Sequence, residues 1–297
     1  MTLPRVSVCI PTIPGREALL KEAIASVQAS TERNFEICIN CDDSIPINEN
    51  WSKVCRLASA PYIFKMDSDD LIEPDFLKKC CDFLDSCPGV SIVFTGYFYE
   101  VHAEYGWAKF EKIDRNYFKN GIVEGRKYHE DILCNRFYPL NHKSAGVFRA
   151  KIANLIGFFD HAEVDILFTT WLAEYGDIGY IPEPLYRYRA HGGEHEGMGL
   201  RPLRMLITSA KRCYGPEADI LIRGTAIRYI ADSFLHGRGL VTIKEVLRLE
   251  PRLKFSLFFW LSITVIFCLP EKTYLNLLDW YIETKWIKRL TNIFIRA

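Results

Sequence analysis

The sequence has no excess charge, no glycine-rich phosphate loop and no apolar run long enough to cross a bilayer. Its 297 residues hold 37 basic and 37 acidic side chains, a balance that gives no overall attraction to nucleic acid. No G-x-G-x-x-G follows the first strand-like run and no G-x-x-x-x-G-K-[ST] occurs, so neither common backbone cradle for phosphates is present. An EF-hand is also excluded: counting from Asp67, Ile72 stands where the loop needs glycine and Lys78 where it needs glutamate. Phe255–Leu269 lacks charge, but a fifteen-residue helix is about 22 Å long and a bilayer core is roughly 30 Å. Met1–Arg5 leads into a short apolar run closed by Pro11, without the basic start or small-residue cleavage site of a secretory signal, and none is expected.

Cysteine is plentiful, but its placement does not resemble a disulfide framework. Cys9, Cys38, Cys41, Cys80, Cys81 and Cys268 lie in apolar runs, where a thiol behaves as a small hydrophobe, so free thiols in a cytosolic protein are expected. Cys38 and Cys41 have C-x-x-C spacing, but in an extended run residues three apart point to opposite faces, and no second pair follows at zinc-site spacing.

With 49% hydrophobic and 13% aromatic residues, the chain can bury a sizeable core. The zero net charge hides a division. Residues 201–297 carry 16 Lys or Arg against 8 Asp or Glu, a net of +8, and residues 1–200 carry the remaining 21 against 29, a net of −8. Two regions are expected, a domain at 1–200 and a helical, basic region at 201–297.

The first hundred residues alternate in period. Val6–Pro11, Phe35–Cys41, Tyr62–Met66 and Val90–Tyr99 read as strands, and Glu17–Ala29 and Asp75–Asp85 as helices. This is an α/β pattern with a mostly parallel sheet, whose strands deliver their carboxy-terminal ends to one ligand-binding edge. Residues 100–135 show no clear period and read as a long connection or lid. Asn141–Arg149 and Gly179–Ile181 follow as strands, Lys151–Ile156 and Asp165–Tyr175 as helices, and the pattern beyond Arg201 is helical.

The strand ends are acidic. Strand one runs into Pro11-Thr12, strand two into Asp42-Asp43-Ser44 and strand three into Asp67-Ser68-Asp69-Asp70. Each taken singly can be a turn or a helix cap. Together they bring carboxylates to one edge, where repulsion requires a cation or hydrogen-bond donors. An Asp-x-Asp at a strand end can hold Mg2+ or Mn2+ while leaving positions free for diphosphate oxygens.

These segments resemble family 2 glycosyltransferases of the GT-A fold. The resemblance is carried by VSVCIPT, Arg16 with the following LL and AI pairs, FEICINCDDS and APYIFKMDSDD, then by KSAGVFRA, IGFFD, VDILFTTWLAEYG and IGYIPEPLYRYRAH, over about residues 5–195. It implies that Pro11, Thr12 and Ile13 line the nucleoside and that Asp42 recognises the base. Asp67 would face the donor's ribose or sugar and share the metal with Asp69, with His191 as a third ligand. Arg189 would offset diphosphate charge, and Asp165 would act as catalytic base. Two positions depart from the family pattern. Val164 replaces the Glu that precedes the base, with Glu163 one place earlier. Trp51-Ser52-Lys53 replaces an Arg-Asn pair, leaving Lys53 or Arg56 to supply the charge near the donor.

The resemblance implies a metal-dependent, inverting transfer from a nucleotide sugar, a UDP-sugar foremost, to an acceptor hydroxyl, with closure of 100–135 excluding water. The basic tail, with Trp260, Trp280 and Trp286 among Lys285, Lys288 and Arg289, suits a membrane interface at 253–297, with a core helix pair or an oligomer contact as the alternative. A lipid-linked saccharide acceptor at the inner face of the cytoplasmic membrane, in surface-polysaccharide synthesis, is the expected setting, with no nucleic-acid partner. A nucleotidyltransferase and a non-catalytic nucleotide-sugar-binding protein remain as alternatives.

Overall fold

The computed structural model describes residues 3–103, 106–112, 117–118, 121–133, 146–160 and 165–190, and beyond them parts of 207–264. By its contacts the chain divides into two compact units, Met1–His129 with Pro139–Glu196, and Glu130–Tyr138 with Gly197–Ala297.

The first unit is built on strand β1 (Val6–Thr12), in which every residue is buried. A strand covered on both faces reads as a near-continuous apolar run, and VSVCIPT does so. β1 pairs in parallel with β2 (Phe35–Cys41) on one side and β3 (Tyr62–Lys65) on the other. Two helices flank the start of the chain. α1 (Glu17–Gln28) buries Ala23 and Val27, with Leu20 and Ile24 packed against the core. α2 (Ile47–Cys55) buries Asn50, Trp51, Ser52, Val54 and Cys55.

The short β4 (Leu71–Ile72) follows the acidic turn, and α3 (Phe76–Ser86) buries Phe76, Leu77, Cys80, Cys81 and Leu84 at helical spacing. Then come β5 (Val90–Ala103), β6 (Gly106–Lys112), β7 (Ile122–Val123), α4 (Gly125–Leu133), β8 (Gly146–Arg149), α5 (Ala150–Ile156), α6 (Asp165–Ala173) and β9 (Asp177–Ala190). The main path of the sheet is β2-β1-β3-β8-β5-β9-β4, with β6 on β5 and β7 on β9.

The α/β class expected from the sequence is the class observed. The sheet is more mixed than the mostly parallel one expected. β8 runs antiparallel between β3 and β5, while β9 pairs in parallel with β5. Two antiparallel steps restore direction, so β2, β1, β3, β5 and β9 all point the same way and their carboxy-terminal ends still share an edge.

A second correction concerns 100–135. Read as an irregular lid, this stretch instead extends β5 to Ala103, turns back through β6 in an antiparallel hairpin, and forms β7 and α4. α4 begins at a glycine for a steric reason: a Cβ at Gly125 would sit 2.2 Å from the Ala173 carbonyl oxygen.

The seven described cysteines are free thiols. Cys38 is buried and Cys41 exposed, the opposite-face placement expected of an extended run. Among the described residues of the second unit are α7 (Gly239–Leu249) and a 3-10 turn, Pro251–Phe255. No helix among the described residues is long and apolar enough to cross a membrane.

Candidate active site

The edge is assembled around the end of β1. The Asp42 N–H donates to the Thr12 carbonyl (3.1 Å) on one side of β1, and the Met66 N–H to the Cys9 carbonyl (3.0 Å) on the other, so Thr12 lies between the acidic ends of β2 and β3. Asn50 of α2 fastens this junction, its Nδ2 reaching the carbonyls of Thr12 (3.1 Å) and Asp42 (2.8 Å) while its Oδ1 accepts from Asn40 (2.9 Å). Thr12 Oγ1 is buried and has no hydrogen-bond partner among the described residues. An orphaned hydroxyl of this kind is costly unless something else satisfies it.

Asp42 accepts from the Ser44 N–H (3.0 Å) and hydroxyl (2.6 Å) and lies 3.3 Å from Lys53 Nζ. These donors, Ser44 first and Lys53 after it, hold its carboxyl below the usual range. Pro11 and Ile13 flank Thr12, Pro11 buried in β1 and Ile13 exposed just beyond it.

The two carboxylates assigned to a metal each have a basic partner from the chain. Asp67 Oδ1 lies 2.9 Å from Lys65 Nζ, and Asp69 Oδ2 lies 2.9 Å from Arg16 Nη1. Lys65 is 2% exposed, and its ammonium stands 4.3 Å from the centre of the Trp51 ring. Repulsion among the acidic residues is therefore offset by donors. The third carboxylate of the turn, Asp70, is fully buried and accepts from the Tyr186 hydroxyl and from the Arg189 N–H (2.8 Å). Burial, reinforced by Asp69 and Asp67, pushes its carboxyl well above the usual range.

Arg189 does not stand free at the edge. Its guanidinium, 7% exposed, lies 2.7 Å from Glu22 on α1, with Nε 3.7 Å from Glu100 on β5. Arg56 pairs with Asp160 and lies 5.6 Å from the centre of the Phe158 ring, away from the Asp42 partner role that Lys53 takes. Asp165 is the first residue of α6, where a helix amino terminus favours a carboxylate. Its side chain, Glu163, Val164 and His191 lie outside the described residues.

A divalent ion suits the Asp67 and Asp69 pair by donor chemistry, two hard carboxylate oxygens at one turn. Among the described residues no set of three His, Cys, Asp or Glu side chains is placed to hold an ion. The sequence reading missed Asn50, Lys65 and the brace of Arg16 on Asp69. A lysine inside YIFKM, an otherwise apolar strand, was the available signal for one of them.

Residues 46–142 match the model of glycosyl transferase family 2. The fold is similar to that of S. aureus TarS residues 1–349. In the complex with UDP-GlcNAc the TM-score is 0.58 at 13% identity, covering 82% of this chain and 81% of that one. In the complex with UDP it is 0.53 at 15% identity, covering 80% and 75%. The family match covers residues 46–142, about a third of the chain, and the α/β fold is similar to that of TarS. Among curated proteins it is 26% identical over 119 residues to the uncharacterised protein y4gI of Sinorhizobium fredii, spanning 31% of this chain and 13% of that protein's length.

Proposed function

We propose that the protein transfers a sugar, with inversion, from a nucleoside-diphosphate sugar to an acceptor hydroxyl. The observation that carries this reading is the gathering of Asp42, Asp67 and Asp69 at the strand ends on either side of Thr12, whose buried hydroxyl has no partner among the described residues; Asp67 and Asp69 fall within the family match. In this reading Asp42, oriented by Ser44 and Lys53, receives the base, and Pro11, Thr12 and Ile13 line the nucleoside. TarS was solved with UDP and with UDP-GlcNAc, which supports a UDP-sugar as donor.

Asp67 and Asp69 would hold Mg2+ or Mn2+, with His191 as a third ligand. When bound, the ion would supply Lewis-acid stabilisation of the leaving diphosphate. Arg16, freed from Asp69, is the described cation best suited to reach the diphosphate oxygens. Arg189, bound to Glu22 and Glu100, orders the acidic turn through its N–H to Asp70. Asp165 takes the proton of the attacking hydroxyl. The acceptor is a lipid-linked saccharide of surface-polysaccharide synthesis, reached at the inner face of the membrane through peripheral contact by 253–297, a setting supported by the +8 charge of residues 201–297.

The test separates binding from chemistry. Asp165→Asn is expected to lower the transfer rate by about 10²–10⁴-fold while leaving UDP affinity within a factor of two or so, measured by product formation and by calorimetry. Full transfer by this variant would remove Asp165 from the role of base.

A further inference from the structure

The described part of the second unit carries an exposed apolar surface. After the 3-10 turn Pro251–Phe255, Ser256 caps a new helical stretch: its Oγ accepts from the Phe259 N–H (3.2 Å) and its carbonyl from the Trp260 N–H (3.2 Å). Leu253, Phe259 and Ile263 point inward and are buried. Outward point Phe255, 91% exposed, Leu261, 55%, and Trp260, 41%. The Trp260 indole donates to the Lys254 carbonyl (3.0 Å), which lays the ring back along the turn that presents Phe255.

A hydrophobic residue just before a helix cap commonly packs on the fourth helical residue, which here is Trp260, yet Phe255 stands almost wholly in solvent. Apolar residues thus occupy both faces of this stretch, and the outer set needs an apolar medium of its own. The surrounding charge is mainly positive, with Asp219 the one exposed carboxylate among the residues lining the neighbouring cavity. Arg248, Arg252 and Lys254 are exposed, whereas Glu250, the one acidic residue between 248 and 264, is buried and held by Lys211 at 2.5 Å. Arg252 also lines a cavity of about 190 Å3 beside this face, together with Arg223.

We propose that Phe255, Trp260 and Leu261, rimmed by Arg248, Arg252 and Lys254, form a docking face for an anionic lipid bilayer. The aromatic rings enter the boundary between headgroups and acyl chains, and the three cations meet lipid phosphates. This rests on the proposed membrane contact of 253–297 and narrows it to named side chains, and its test requires neither donor nor transfer.

The full chain would be sedimented with vesicles of phosphatidylcholine alone and of phosphatidylcholine with about 30% phosphatidylglycerol. Binding is expected on the anionic vesicles and at least tenfold weaker on the neutral ones. Phe255→Ser and the double variant Arg252→Glu with Lys254→Glu should each weaken anionic binding at least tenfold. Their melting temperature and the stabilisation by UDP should match the wild type, because these side chains are exposed. Absence of wild-type binding, equal binding to both vesicles, or variants that bind like the wild type would each overturn the proposal. So would sedimentation showing a wild-type dimer that Phe255→Ser dissociates, since the face would then belong to a second copy. Loss of UDP stabilisation with vesicle binding intact would instead strike the donor-site reading.

Discussion

Lys65 is a charged residue in a strand whose four side chains are all buried. Burying an ammonium is costly unless partners replace its water, and here Asp67 and the Trp51 face both do so. The charge that the donor's diphosphate would meet at Asp67 is therefore partly neutralised before any ligand arrives. Lys65→Met keeps the volume and removes this neutralisation. It is expected to weaken UDP-sugar affinity about tenfold, or about 1.4 kcal/mol, in a calorimetric titration. Unchanged affinity would mean that Lys65 serves packing alone. Asp42 at the end of β2 was legible in the sequence because an acidic residue after an apolar run stands out. Lys65 was not, since a lysine in a strand ordinarily turns to solvent, and only the position of Trp51 explains why it does not.

At the scale of elements, α2 is the part that the periodicity did not disclose. INENWSKVC is rich in Asn and Ser, yet Asn50 and Ser52 are buried against partners. Asn50 braces β1 and β2 on one side of the helix. On another, Asn48 donates to the Phe159 carbonyl (3.4 Å), Ser52 Oγ accepts from the Phe159 N–H (3.1 Å) and Trp51 packs edge-on against Phe159. The turn so held contains Gly157 at φ 83 and Phe158 at φ 52, a left-handed conformation that a bulky residue adopts only under strong constraint. Ser52→Ala leaves a buried N–H unsatisfied and should lower stability by about 1–3 kcal/mol in denaturant unfolding. A loss well under that would show that the turn holds without α2.

The entry to β1 is bound to α3 electrostatically. Arg5 reaches Glu32 (2.8 Å), Asp82 (2.8 Å) and Asp85 (2.5 Å). The Asp82 and Asp85 carboxyls are held below their usual values chiefly by hydrogen bonds from Lys78 and Tyr62 respectively, with Arg5 next, and Glu32 is lowered by its hydrogen bonds and Arg5 against the opposing effect of burial. A carboxyl with a depressed folded pKa stabilises the fold above its unfolded value, and this is lost as pH falls through the folded value. Arg5→Met should therefore cost on the order of 1 kcal/mol or less at neutral pH, since Asp82 and Asp85 are half exposed. The difference between variant and wild type should shrink once the pH drops below about 4. A difference that stays constant from pH 7 to pH 3 would assign the effect to packing.

For the whole molecule, a ligand that binds only the folded chain stabilises it by mass action. UDP at a hundred times its dissociation constant should contribute about 2.7 kcal/mol, which for a protein of this size raises the melting temperature by several degrees. If the ion at Asp67 and Asp69 is part of donor binding, EDTA should remove most of that rise and added Mn2+ should restore it. A rise indifferent to EDTA would limit the ion to a role after binding.

The sequence by itself determined the α/β class, the shared edge and the acidic strand ends, because each rests on local information: a two-residue or 3.6-residue apolar period, a proline or a run of aspartates. Only the tertiary structure decided what those aspartates touch. The antiparallel insertion of β8, the placement of Arg16 against Asp69 and of Arg189 against Glu22, the seating of Lys65 on the Trp51 ring and the pairing of buried Glu250 with Lys211 all depend on residues distant in the chain meeting in space. Packing and ion pairing are long-range, and local period carries no record of them.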